Sequence, residues 1–173
     1  MTTLTRAELL ANARVKGLRD AIVVRLKSRF VDLDVKSHLG KLDISDVLEK
    51  GIFNPPSIAV AATRTKPEGR LSGADDFVVD LTAYVVTEDL IVSGRRVERD
   101  EMALAICEGL LLSLTDDDFT RWNVENVGPP EDAEAKPLFT IKAVAQGVVY
   151  YAVTWKQTLF HVAPANFFTG GET

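Results

Sequence analysis

The chain has 173 residues, of which 46% are hydrophobic and 26% charged, enough for one domain with a real core and too few for two comfortable ones. A formal net charge of −5 argues against a nucleic-acid-binding module, which normally presents a basic face. The single cysteine, Cys107, excludes an internal disulfide and a cysteine-based zinc site. The N-terminus has charges from Arg6 onward and no apolar signal core, and no run approaches the ~18 apolar residues of a membrane span. These features predict a soluble protein made in the cytoplasm.

Thr5 and Glu8 form a T-x-x-E capping box, which predicts one long helix from about Arg6 to Lys27. Ala11, Val15, Leu18, Ile22 and Leu26 recur at three- and four-residue steps as its apolar stripe. Phe30–His38 alternates, with Val31, Leu33 and Val35 on one face and Asp32, Asp34 and Lys36 on the other, and reads as a first strand. Asp43–Gly51 reads as a small helix capped by Asp43 or Ser45, with Pro55 and Pro56 ending the connection.

Ser57–Arg64 is the second predicted strand, with Ile58, Val60 and Ala62 inward. Thr65–Asp75, with Pro67, Gly69 and Gly73, reads as a mobile hairpin loop. Phe77–Glu88 resumes the alternation, placing Phe77, Val79, Leu81, Ala83 and Val85 inward and Asp80, Thr82 and Tyr84 outward. A second helix is expected over about Val97 to Leu114, its stripe made by Ala103, Ile106, Leu110 and Leu114 beside Cys107 and Leu111. Arg121–Val127 reads as a fourth strand, Gly128–Lys136 as an exposed loop, and Leu138–Ala143 as a short strand or bend.

Gly147–Val162 is the longest β-like run. Val149, Tyr151, Val153, Trp155 and Leu159 share one face; Val148, Tyr150, Thr154, Lys156 and Thr158 share the other, half polar one. Residues 163–173 read as a tail beyond a single domain of residues 1–162. Strands in hairpins rather than strict βαβ alternation give the fold class α+β: a mostly antiparallel sheet of about four strands, covered on one face by two amphipathic helices. The other face, carrying Asp80, Tyr84, Tyr150 and Lys156, is expected to be free for partners.

No constellation nominates catalysis. His38 and His161 belong to no metal-spaced cluster, and Cys107 sits at core spacing with no histidine nearby in sequence. Asp32 with Asp34, and Asp116–Asp118, read as solvated acids; the latter run lacks the glycine and terminal glutamate of a calcium loop. The Gly69–Gly73 loop has no Lys-Ser/Thr after it and is no phosphate cradle. The basic residues Arg64, Lys66 and Arg70 around the hairpin loop, and Arg95, Arg96 and Arg99 at the second helix, read either as a solvated charged edge or as subunit and partner contacts. The expectation is a non-enzyme with no cofactor and no metal.

The capped N-terminal helix, the pair SIAVAATR…FVVDLTAYVVTED, the helix EMALAICEGLLLSL, then RWNVENV and GVVYYAVTWKQTLF follow one another in an order that resembles the tail-terminator proteins of long-tailed phages, Mu-like contractile phages in particular. The resemblance spans roughly Leu4 to Val162 and rests on patterns rather than signatures. It implies an α+β subunit of a hexameric ring at the tail–neck junction of a virion. Such a ring caps the tail tube, stops tube and sheath polymerisation, docks the neck, and lets DNA pass without specific binding. The alternatives are a head–tail connector or adaptor of the neck, and a small cytoplasmic enzyme or ligand-binding domain using the polar face around Tyr84, Tyr150 and Lys156.

Overall fold

A computed structural model describes residues 4–41, 54–69, 75–138 and 147–163. Chain order is α1 (Arg6–Ala11), α2 (Arg14–Arg29), β1 (Asp34–Ser37), β2 (Ser57–Pro67), β3 (Phe77–Glu88), β4 (Leu90–Val92), β5 (Arg95–Val97), α3 (Arg99–Ser113), α4 (Asp117–Thr120), β6 (Glu131–Pro137) and β7 (Val148–Leu159). The fold is α+β, as expected. Its sheet has five strands in the order β1-β2-β3-β7-β6, and β4 and β5 form a separate hairpin. Only β1 and β2 are parallel; β2–β3, β3–β7 and β7–β6 are antiparallel. A parallel pair needs a crossover connection; the helix expected at Asp43–Gly51 lies outside the described residues.

Both long helices cover one face, α2 over β1 and β2, and α3 over β3 and β7. Their stripes meet the inward residues of the sheet: Leu18, Ile22 and Leu26 from α2, Ile106 and Leu110 from α3, and Val60, Leu81, Ala83, Val85, Val153 and Trp155 from the strands form one buried cluster. The row Val60–Ala83–Val153 is fully buried across three strands. Burial of such side chains, at roughly 1.5–3 kcal/mol each gross, is what makes the two helices and the sheet interdependent. No helix among the described residues is long and apolar enough to cross a membrane.

Four sequence expectations change. The first helix is broken: the Thr5–Glu8 capping box is present, but α1 ends at Asn12 and α2 starts at Arg14. Arg14 explains where the second segment is fixed. Its guanidinium donates to the carbonyl oxygens of Glu125 (2.8 Å), His161 (3.1 Å) and Phe160 (3.3 Å). Ala11 is therefore exposed, and the stripe takes hold only from Val15. The first strand shrinks to β1 because Phe30 caps α2 and residues 31–33 turn. β2 runs on to Pro67, so Lys66 lies on a strand and not in a loop.

The fourth correction is the largest. Arg121–Val127 is not a strand, and Glu131–Pro137, expected as loop, is the edge strand β6. Gln157 accounts for this. It is buried on β7, and its Oε1 accepts from Trp122 Nε1 (2.8 Å) and Trp155 Nε1 (3.1 Å). Its Nε2 donates to the carbonyls of Thr120 (3.1 Å) and Gly128 (2.9 Å). All four valences of one amide are used, and the segment Thr120–Gly128 is wrapped around them. Trp122, Asn123 and Asn126 adopt φ of 53°, 58° and 55°, which no extended strand permits.

Candidate interaction surface

Of the six basic residues expected at interfaces, the five that are described do not come together. Arg64 and Lys66 lie on β2 beside the start of β3, while Arg95, Arg96 and Arg99 gather beyond its end. Eight residues of strand separate Asp80, the partner of Arg64, from Glu88, a separation of about 26 Å at ~3.3 Å per residue. Arg70 lies outside the described residues.

At the first end, the sheet register lines up Arg64, Asp80, Lys156 and Glu131 across β2, β3, β7 and β6. The signs alternate, so each strand contributes a charge opposite to its neighbours. Arg64 Nε donates to Asp80 Oδ2 at 2.6 Å, and Lys156 Nζ to Asp132 Oδ2 at 2.6 Å. The Lys156 hydrogen bond holds the Asp132 carboxyl below its ordinary range, and Asp132 in turn raises Lys156. Asp80 Oδ1 is buried without a hydrogen-bond partner among the described residues. Thr63, Thr82 and Thr154 line the adjoining open groove of about 560 Å³. Lys66 is exposed and makes no ion pair among the described residues.

At the second end, the arginines bind their own chain. Arg95 grips Glu101 with both terminal nitrogens (2.7 and 3.3 Å), lowering the Glu101 carboxyl and raising its own value. Arg96 pairs with Asp89 at 2.9 Å. Asp89 Oδ1 accepts the backbone N–H of Arg99 at 3.0 Å, and this bond, followed by Arg96, depresses the Asp89 carboxyl. Glu98 occupies the N-cap position of α3 but makes no side-chain cap bond. Asp89 supplies an acceptor there from across the hairpin. Arg95 and Arg96 thus fold β4–β5 onto α3 while leaving guanidinium surface exposed. The Arg99 side chain lies against Gly147, where a Cβ would stand 3.4 Å from Nη1.

The second sheet face is not uniformly free. Tyr84 and Tyr150, expected outward, are 6% and 2% exposed and pack with Ala59, Ala61, Val86, Val148 and Ala152 in a second buried cluster. Burial pushes the Tyr150 hydroxyl up to about 12, and that hydroxyl has no hydrogen-bond partner among the described residues. The end carrying Asp80, Thr154 and Lys156 stays polar and partly exposed, with Thr82 buried beside it. A polar site converging on both tyrosines and Lys156 is therefore not what the fold builds.

The remaining chemistry-bearing residues have structural partners. Burial raises the Cys107 thiol to about 11, so it is protonated at neutral pH and a poor nucleophile. Asp116 caps α4 by accepting the Phe119 N–H at 3.1 Å. Asp34 pairs with Lys36 at 2.9 Å, and His38 meets the Tyr84 ring edge-on. His161 lies near Asp75 and Asp76; its N–H donates to Asp76 Oδ1 (2.9 Å) and the Val162 N–H to the Asp75 carbonyl (2.9 Å). These bonds tie the end of β7 to the start of β3. The residues that sequence reasoning missed are Arg14 and Gln157. A polar side chain interrupting an apolar strand face was the available signal for Gln157; nothing in the sequence marks Arg14. No protein-family model matches the chain, and no curated protein matches it.

Proposed function

We propose that this chain is a tail-terminator-type subunit of a long-tailed phage. It assembles as a ring, in the manner of a hexamer, and caps the tail tube. By occupying the tube's growing end it stops polymerisation of tube and sheath. Its opposite side offers the docking surface for the neck, and DNA passes through without specific binding. The work is done by shape and charge at two interfaces, not by a reaction. On this reading the protein resides at the tail–neck junction of the virion.

The observation that supports this most is the separation of two charged ends along one rigid strand. A ring subunit sandwiched between tube and neck needs two axial surfaces held at a fixed distance. β3 carries the Arg64–Asp80 end and the Arg95–Arg96–Asp89 end about 26 Å apart, within one antiparallel core. The element order Leu4–Val162 supports it as well.

Electron microscopy of lysates lacking this gene is the primary test. Tails of abnormal, variable length are the expected result. Normal tails lying beside filled heads would overturn tail capping in favour of a neck connector, and normal infectious particles would remove the protein from assembly. A surface test follows with Lys66→Glu and Arg70→Glu together. Arg64 is left intact because a glutamate there would face Asp80. The double variant is expected to fold normally and to fail in complementation; normal tail capping would show that this end is not the contact.

A further inference from the structure

Helix α1 is apolar on a side that none of the described residues covers. All residues from Leu4 to Ala11 are exposed, Leu10 by 75% and Leu9 by 56%, and α1 buries no residue at all. Arg6, Leu9 and Leu10 share one face at steps of three and four. Six residues are far too few to hold a helix in water without tertiary packing, even with the Thr5–Glu8 capping box complete. The helix therefore calls for a surface to lie on.

The molecule carries such a surface at the far end of α2. A groove of about 310 Å³ runs between the end of α2 and α3, lined chiefly by Phe30, Val31, Leu33, Met102 and Ile106. Val31 is 78% exposed, although it is an aliphatic residue. Asp32 sits on the rim and makes no ion pair among the described residues; Arg6 on α1 makes none either. The charges are opposite, and neither is paired among the described residues.

α1 cannot reach the groove of its own chain. The 16 residues of α2 stand between them, about 24 Å at 1.5 Å per residue. The six residues of α1 add about 9 Å, and Asn12–Ala13 at most about 7 Å. An arm at one end of a rigid rod and its receptor at the other describe a head-to-tail contact between copies.

We propose that α1 is an intersubunit arm that docks in the α2–α3 groove of a second copy of this chain, with Leu9 and Leu10 entering beside Phe30, Val31 and Met102, and Arg6 pairing with Asp32. The inference deepens the ring reading by naming a contact that propagates it. It rests on that reading only for the closure of the chain of contacts into a ring.

Mixing complementary variants of the full chain tests it. Leu9→Asp with Leu10→Asp destroys the arm and spares the groove; Val31→Asp destroys the groove and spares the arm. All three positions are exposed, so circular dichroism and the melting temperature are expected to stay close to wild type. By sedimentation, wild type is expected to self-associate, and each variant alone to weaken that association at least ~30-fold. Their equimolar mixture is expected to form one-to-one dimers and nothing larger, since it holds one intact arm–groove pair. Wild type that remains monomeric at ~1 mM, variants that assemble like wild type, or a mixture with no dimer would each overturn the arm. Should a variant unfold, Leu10→Cys and Val31→Cys chains mixed under mild oxidation give a second test, with a heterodisulfide expected in preference to either homodisulfide. Failure of the two readings is distinguishable. Assembly indifferent to these variants removes the arm and leaves tail capping standing, whereas normal tails without the gene remove tail capping and leave the arm.

Discussion

Leu81 and Thr82 are neighbours on β3 and point to opposite sides of the sheet. Leu81 lies across from Ala62 and Trp155 under the helices; Thr82 lies across from Ala61 and Thr154 on the side the helices do not cover. The first side is apolar from Phe77 to Val85 and ends in the buried Thr87. The second divides: Tyr84 and Val86 are buried in a small cluster of their own, while Asp80 belongs to a row of alternating charges that faces solvent. One strand thus serves three environments, and period-two alternation reports only the first division. Alternation tells which residues share a face, but whether that face is covered depends on chain far away in sequence.

The sharpest way to break the comparison is to remove the buried amide placed inside the helix-covered side. Gln157→Leu keeps the side-chain size and strips all four hydrogen bonds from the Trp122 and Trp155 indoles and the Thr120 and Gly128 carbonyls. Orphaned buried polar groups cost ~1–3 kcal/mol each, and partial solvation of the loosened 120–128 segment limits the total. A loss of about 3–5 kcal/mol in urea unfolding is expected. A loss below ~1 kcal/mol would mean that the segment is held by its apolar packing alone, Phe119 and Trp122 above all.

Arg14→Ala comes next. Three carbonyls from two loops lose a charged donor, and α1 loses the fixed point from which it projects. Hydrogen bonds to charged groups are worth ~1.5–3 kcal/mol, so a destabilisation of about 2 kcal/mol is expected by the same measurement. Faster amide exchange at Phe160 and Val162 is expected to accompany it, because the loosened loops include the backbone of both residues.

What was legible in the sequence follows from how local each signal is. The capping box at Thr5 and the stripes from Leu18 to Leu26 and from Ala103 to Leu110 are each written within a dozen or so residues, and β2 and β3 are consecutive alternating runs. The split at Asn12–Ala13 is fixed by carbonyls 111 to 147 residues away, which no window on the sequence contains. RWNVENV alternates like a strand, yet its two asparagines tolerate the left-handed backbone that Gln157 imposes. β6 has the composition of a loop because it is an edge exposed at every residue but Ala135, where charges discourage pairing with other chains. Of the six basic candidates, charge alone said nothing about Arg95 and Arg96 being held by Glu101 and Asp89; the hairpin β4–β5 creates those pairs.

The solvent-facing row gives the small effects. Lys156→Ala removes the bond to Asp132 and the cation between Asp80 and Glu131. Asp132 and Glu131 remain hydrated, and exposed pairs of this kind contribute little. The melting temperature is expected to change by less than ~2 °C. A larger drop would mean that the row braces the edge strand β6, and would move it from a recognition surface to a part of the scaffold.

The weakest expected effect is the most specific in its sign. Asp89, Glu101, Asp116 and Asp132 all have carboxyls depressed below their ordinary values by hydrogen bonds and basic partners. A group with a lower pKa in the folded state stabilises the fold above its unfolded pKa, and loses that contribution as pH falls through its folded pKa. Stability is therefore expected to be flat from neutral pH down to the ordinary carboxylate range and to decline below it, with a shallower decline in high salt because these groups are exposed. Asp89 separates the cap from the general effect, since its Oδ1 holds the first N–H of α3. In Asp89→Asn the amide oxygen can still accept that N–H but carries no charge to titrate. Its melting temperature is expected to fall less steeply with pH between 5 and 2.5 than that of wild type. Parallel curves would mean that the hydrogen bond to α3, and not the charge, is what Asp89 contributes.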